Sequence, residues 1–180
     1  MKRAVFLDRD GVINRSIMID GMPRPPVSNT DVEILDGVVE AIQILKAHNF
    51  VPVVVTNQPD VARGVTSQLQ VHAINTCIGT ATDIDYFYTC FHDDADLCDC
   101  RKPAPGLIHR AAMELNLDIP HSFLVGDRWR DISAGQAAGC QSFFINYSYP
   151  ERLPEMPFTT VSSLLEATLI MIGEKLDGAN

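Results

Sequence analysis

Apolar residues along the chain fall into short runs cut off by polar stops, and the runs alternate between two periodicities. Residues 4–7 and 51–55 are continuous, bulky or β-branched runs too short for helices, as expected of strands covered on both faces. A weaker alternation over 84–88 and runs over 122–126 and 142–145 predict three more strands. Between them lie helical stripes. Asp36 is placed to cap a helix ending near Asn49, with Val38, Ala41, Ile42 and Leu45 on one face. Thr66 would cap a second through Gln70, Ile74 and Cys77, and Pro105-Gly106 opens a third with Leu107, Ala111 and Leu115 on one side. Asp131 to Gly139 reads as a short helix with a glycine stop, and 163–175 as a closing helix that supplies core. Residues 15–30 contain Met22-Pro23-Arg24-Pro25-Pro26 and read as an extended excursion, and 150–157 as a loop. Strands alternating with helices predict an α/β chain: a Rossmann-like parallel sheet with helices on both faces, in one domain over residues 1–180.

Size and composition narrow the function. At 180 residues the chain is long enough to bury a stable core unaided. No apolar run approaches the roughly 20 residues that cross a bilayer, and the amino terminus reaches Asp8 too soon for a signal peptide. A cytoplasmic monomer is therefore expected, with no membrane partner. The net charge of −9 argues against nucleic-acid binding through phosphate neutralisation. It leaves room for a small anion in a locally basic cleft.

The polar stops carry the chemistry. The first strand runs out into Asp8-Arg9-Asp10-Gly11, the second into Thr56-Asn57-Gln58, and the fourth into Gly126-Asp127. In an open parallel sheet these stops share one edge, the edge where ligands bind. Lys102 can reach it from the loop after the third strand. Two carboxylates one residue apart repel unless a cation or a proton lies between them. A solvated Asp-Gly turn is the plain alternative for that stretch taken alone, and a strand-end hydroxyl bonded to backbone is the alternative for Thr56. Several acids, a hydroxyl and an ammonium together suggest Mg²⁺ and a phosphate.

Asp8-x-Asp10-Gly11, Thr56, Lys102-Pro103 and Gly126-Asp127-x-x-x-Asp131 stand in the order of the four motifs of the haloacid dehalogenase superfamily, which the chain resembles from about residue 4 to residue 145. More narrowly, Asp8 to Asn14, Thr56-Asn57-Gln58, Ala62-Arg63-Gly64 and Cys98-Asp99-Cys100-Arg101-Lys102-Pro103 resemble the capless heptose bisphosphate and histidinol phosphate phosphatases. The resemblance implies an Mg²⁺-dependent phosphatase acting on a phosphorylated sugar through an aspartyl-phosphate. In it Asp8 is the nucleophile and Asp10 the acid and base, with Mg²⁺ on Asp8, Asp127 and the Asp10 backbone carbonyl. Thr56 and Lys102 would hold the phosphoryl oxygens with help from Asn57 and Gln58. Asp131 would orient Lys102 or a metal-bound water, with Asn14 in support, or merely cap its helix.

Cys90-x-His92 and Cys98-x-Cys100 offer three thiolates and an imidazole in two clipped pairs, the closed set of a structural zinc site. Three unrelated thiols and a surface histidine are the alternative. Cys77 and Cys140 are expected to pack as small apolar residues. Arg63, Arg101 and Arg128 lie beside the catalytic motifs and could grip a second anion, which favours a sugar bisphosphate, heptose 1,7-bisphosphate by resemblance, over histidinol phosphate. Neither 15–30 nor the segment between Gly64 and Cys90 is long enough for a cap domain. Pro59-Asp60 departs from the Ser-Gly that relatives often carry there, stiffening the loop and adding negative charge near the leaving group. A receiver-type signalling domain also gathers Asp, Thr and Lys at strand ends, but it lacks the first Asp-x-Asp pair.

Overall fold

The apolar runs become neighbouring strands of one parallel sheet in a computed structural model of the protein, which describes residues 1–173. In chain order the elements are β1 (Arg3–Leu7), β2 (Ile17–Ile19), β3 (Met22–Arg24), α1 (Val38–Ala47), β4 (Phe50–Asn57), α2 (Gln68–Thr82) and β5 (Tyr86–Cys90). They continue with α3 (Gly106–Leu115), β6 (Phe123–Gly126), α4 (Trp129–Ala138), β7 (Gln141–Ile145), β8 (Thr159–Val161) and α5 (Leu164–Ile172). The six-stranded sheet has the order β5-β4-β1-β6-β7-β8, and every pairing in it is parallel. From β1 the chain winds outward through β4 and β5, then returns to lay β6 on the other side of β1. That reversal opens a crevice beyond the carboxyl end of β1, where such folds bind ligands.

The period-two alternation of β1 explains the two cores. Val5 and Leu7 join the apolar faces of α1, α2 and α5, whereas Ala4 and Phe6 join those of α3 and α4. Helices therefore cover both faces. Truncating the fully buried Phe6 to alanine would cost about 3 to 5 kcal/mol. No helix among the described residues is long and apolar enough to cross a membrane. No domain is inserted after β1 or β4.

Several local expectations shift. The N-cap of α1 is Gly37 at φ 75°, not Asp36, because the chain enters through a left-handed turn in which a Cβ would meet Leu165. Ser67, not Thr66, caps α2 by accepting from the Gln70 N–H, and the buried stripe of that helix is Val71, Ile74 and Ile78, leaving Cys77 half-buried. Cys140 packs in the α3–α4 core as expected. Residues 15–30 hold a hairpin, β2 against β3, closed by Asp20-Gly21 with both φ angles positive. Asp-Gly between apolar residues is the signal for such a turn. A sixth strand, β8, was not expected after the 150–157 loop. Ser163 caps α5, which ends at Ile172, so the expected end at Lys175 lies outside the described residues.

Candidate active site

The register of the sheet brings the strand ends level. Leu7 lies opposite both Val54 of β4 and Val125 of β6, so Asp8, Thr56 and Asp127 follow at nearly the same height. They border a cleft of about 260 Å³ with Asp10, Asn57, Lys102, Asp131 and five arginines: Arg24, Arg63, Arg101, Arg128 and Arg130.

Lys102 is the hub. Its Nζ lies 2.6 Å from Asp8 Oδ1 and 2.6 Å from Asp131 Oδ1, and it donates to the Val55 carbonyl at 2.8 Å. Its three donors are thus all met, as a buried ammonium requires. Burial alone would lower the Lys102 pKa, but Asp131 and Asp8 override it and hold the group charged. Asn57 fixes the backbone that delivers it: the Asn57 amide donates to the Lys102 carbonyl and accepts from the Lys102 N–H, each at 3.0 Å. Both ends of that amide are therefore committed to the Lys102 backbone, and any aid from Asn57 to a phosphate passes through Lys102. Thr56 is buried beside it and accepts from Gln58 Nε2 at 3.0 Å.

Asp8, Asp127 and Asp131 each offer a carboxylate oxygen within 4.8 Å of the others. Burial pushes the Asp8 carboxyl up to about 6 against the pull of Lys102, and Asp127 is raised well above the ordinary carboxylate range by burial and by the charges of Asp8 and Asp131. Asp127 Oδ2 accepts from the Tyr149 hydroxyl at 3.0 Å, whereas Oδ1 is buried without a hydrogen-bond partner among the described residues. Both oxygens of Asp131 are engaged, one by Lys102 and the other by the Arg128 N–H at 2.9 Å. An orphaned buried carboxylate oxygen beside a second raised acid fits a hard divalent cation. Asp8 and Asp127 are the acids free to hold it. Gly11 lets them approach: at φ 92° a Cβ there would lie 2.1 Å from Asp127 Oδ2.

Asp10 sits at the mouth with four donors on its carboxylate. Arg9 supplies two, Asn14 Nδ2 one at 3.0 Å, and Gln58 Nε2 one at 2.9 Å. The structure thus gathers Asp8, Asp10, Asn14, Thr56, Asn57, Gln58, Lys102, Asp127 and Asp131. Gln58 reaches Asp10 and Thr56 rather than the open cleft.

The expected arginines line the cleft but are already paired. Arg63 forks onto Asp93 at 2.8 and 2.7 Å, Arg101 bonds Asp94 at 2.8 Å, and Arg128 is held by Glu151. Arg130, also on Asp94, and Arg24, which has no carboxylate partner among the described residues, were missed by sequence reasoning. Tyr149 and the buried Arg9 were missed too. The one available signal was for Arg9, a cation set between two acids.

Cys90, His92, Cys98 and Cys100 place four ligand atoms within 4.8 Å of one another. The Sγ–Sγ separations of 3.2, 3.4 and 3.7 Å approach the roughly 3.8 Å that tetrahedral Zn–S bonds of about 2.3 Å would give. The set fits a closed, four-coordinate metal site.

Residues 27–139 match the family described as haloacid dehalogenase-like hydrolase. Over 150 residues the chain is 38% identical to a D-glycero-beta-D-manno-heptose-1,7-bisphosphate 7-phosphatase of Pasteurella multocida, covering 77% of this chain and 78% of the relative. Identity to the Escherichia coli protein of that name is 36% over 147 residues, 75% and 74% of the two chains. Among solved structures, the D,D-heptose 1,7-bisphosphate phosphatase of B. bronchiseptica, complexed with magnesium and phosphate, superposes with TM-score 0.79 at 26% identity, covering 94% of this chain and 98% of that one. The Burkholderia thailandensis enzyme gives TM-score 0.67 at 25% identity, covering 96% and 100%.

Proposed function

The chain belongs to the haloacid dehalogenase-like hydrolases, and from that premise we propose that it is a phosphatase removing the 7-phosphate of D-glycero-β-D-manno-heptose 1,7-bisphosphate. The observation that carries the reading is the buried cluster of Asp8, Lys102, Asp127 and Asp131 at the crevice beside β1. Curated relatives at 35 to 38% identity bear the heptose bisphosphatase name.

The residues account for each step. An Asp8 carboxylate oxygen attacks phosphorus as the bond to the leaving sugar oxygen breaks, and Asp10, at the open mouth, gives that oxygen its proton. Asp10 then takes a proton from the water that attacks the aspartyl-phosphate, which frees Asp8 and inorganic phosphate. Lys102 and Thr56 hold the phosphoryl oxygens, and Asp131 keeps Lys102 charged and in place. Such preorganised charge carries much of the acceleration in reactions of this class. Mg²⁺, held by Asp8, Asp127 and the Asp10 backbone carbonyl, would supply neutralisation of the phosphoryl charge. Zinc on Cys90, His92, Cys98 and Cys100 would brace the loop that leads to Arg101 and Lys102. The reading carries with it a cytoplasmic monomer.

The test is a panel of sugar bisphosphates, the matching monophosphates and histidinol phosphate, assayed for phosphate release with Mg²⁺. The heptose 1,7-bisphosphate should lead in kcat/KM, and Asp8→Asn should abolish turnover. Equal rates across the panel would remove the substrate assignment. A fully active Asp8→Asn would remove the mechanism.

A further inference from the structure

Arg9 is the largest fully buried side chain among the described residues, and no step above uses it. A guanidinium carries five N–H donors and a permanent charge, so burying it is costly unless its partners are fixed around it. Two of the partners are on Asp10: Nε donates to Oδ1 at 3.1 Å and Nη2 to Oδ2 at 2.9 Å. A two-pronged grip of this kind sets the plane of the carboxylate as well as its position. The third nitrogen points away from the cleft, where Nη1 donates to Asn75 Oδ1 at 2.9 Å. Asn75, buried on α2, donates in turn from Nδ2 to Thr89 Oγ1 on β5 at 3.2 Å.

The other outside support of Asp10 ends in the same place. Gln58 donates to Asp10 Oδ2 from its side chain, and its backbone N–H donates to the Cys90 carbonyl at 2.7 Å. Two hydrogen-bonded routes therefore run from the mouth of the cleft to consecutive residues, Thr89 and Cys90. They stand at the end of β5 where the Cys/His cluster begins.

We propose that Arg9, Asn75 and Thr89 are positioning residues that aim the Asp10 carboxyl at the leaving oxygen, braced on the strand end beside the Cys/His cluster. The inference rests on the reading of Asp10 as proton donor. In that step the P–O bond to the leaving group breaks, Asp8 bonds phosphorus, and the Asp10 proton passes to the departing oxygen. Proton delivery contributes about 10²- to 10⁴-fold and depends on geometry, and a displacement of about 1 Å can cost about 10²-fold. A sugar alkoxide needs that proton to leave. A nitrophenolate does not.

The discriminating measurement is kcat/KM, which ends at formation of the phosphoenzyme and excludes the later attack of water. It is compared between an alkyl sugar phosphate and p-nitrophenyl phosphate. Asn75→Leu, similar in size but without the amide, should lower the alkyl value by about 10- to 100-fold and the aryl value by less than about threefold. Thr89→Val should shift the ratio the same way by a smaller factor, and it carries the test if Asn75→Leu does not fold. Equal losses on both substrates, or no loss on either, would overturn the proposal. Asp10→Asn is the reference. Should it fail to separate the two substrates, the proton-donor reading itself falls. Should it separate them where Asn75→Leu and Thr89→Val do not, the relay alone falls.

Discussion

Asp131 turns one carboxylate oxygen to Lys102 Nζ at 2.6 Å and the other to the backbone N–H of Arg128 at 2.9 Å, so one side chain both pins the ammonium and ties the first turn of α4 back to its N-cap residue. The sequence left open an orienting group or the cap of a helix starting at Asp131; the side chain does hold Lys102, and the helix starts two residues earlier, with Arg128 as its N-cap and Asp131 inside its first turn. Asp131→Ala removes both contacts. It should cost roughly 1 to 3 kcal/mol, since Lys102 keeps Asp8 and the Val55 carbonyl but loses its third acceptor, and the first turn of α4 loses a bond. Turnover should fall at least about tenfold as Lys102 loses its bearing. Denaturant unfolding and steady-state kinetics check the two effects separately. A variant of unchanged stability would show that the contact contributes nothing.

Burial disfavours the ionised forms of both Asp8 and Asp127. The Asp8 carboxyl is raised from 3.8 to about 6, and Asp127 is raised too. A carboxylic acid with a raised folded-state pKa stabilises the fold fully below its unfolded value, and that contribution disappears as pH rises through the folded value. Metal-free protein should therefore lose stability from this source between about pH 4 and pH 6. The amount is on the order of 2 to 3 kcal/mol for Asp8. Asp8→Asn should flatten that part of the curve and be the more stable protein near pH 7 while releasing no phosphate. Mg²⁺ should narrow the difference by stabilising the wild type. Melting temperatures of the two proteins across pH 4 to 8, with and without Mg²⁺, decide it, and parallel curves would count against the account.

The fold and the acids were readable because they follow from short-range rules. Residues 4–7 and 51–55 are unbroken apolar runs, and an acid or a hydroxyl that ends such a run must lie at the sheet edge. Val38, Ala41, Ile42 and Leu45 fall at helical spacing and all are buried on α1. What was not readable depends on distant partners. Nothing local shows that Asn57 would clamp the Lys102 backbone, or that Arg9 would turn inward to Asn75, 66 residues on. Tyr149 reaches Asp127 from beyond β7, across 22 residues. The Asp20-Gly21 hairpin was legible in principle, and the surrounding prolines masked it.

The Cys/His cluster makes a second, separable claim about metal. One zinc per chain should be found by elemental analysis after dialysis against a weak chelator, and Cys98→Ser or Cys100→Ser should lose it. Metal-free protein should melt at lower temperature, because ligand binding to the folded form alone adds to stability. Activity should fall with it, since residues 98–102 lead from the cluster straight to Lys102. A chain that binds no zinc and melts unchanged after the substitution would leave only a thiol cluster.

The arginines decide how a second anion is recognised. Arg63, Arg101 and Arg130 are held by Asp93 and Asp94, carboxylates on the same loop as the cysteines, and Arg63 keeps the Asp93 carboxyl down at about 2. A second phosphate must draw them away from those acids. Arg24 has no carboxylate partner among the described residues and needs no such exchange, and Pro23 and Pro25 on either side limit the backbone that carries it. A charged hydrogen bond contributes about 1.5 to 3 kcal/mol, or about 10- to 100-fold in binding. Arg24→Ala should therefore raise KM for the bisphosphate by about tenfold or more while the value for the monophosphate moves less than about threefold. Arg101→Ala should have the smaller effect, because Asp94 offsets part of what Arg101 contributes. If Arg101→Ala proves the more damaging and Arg24→Ala changes nothing, the loop acids release their arginines readily, and Asp93 and Asp94 act as stand-ins that substrate displaces.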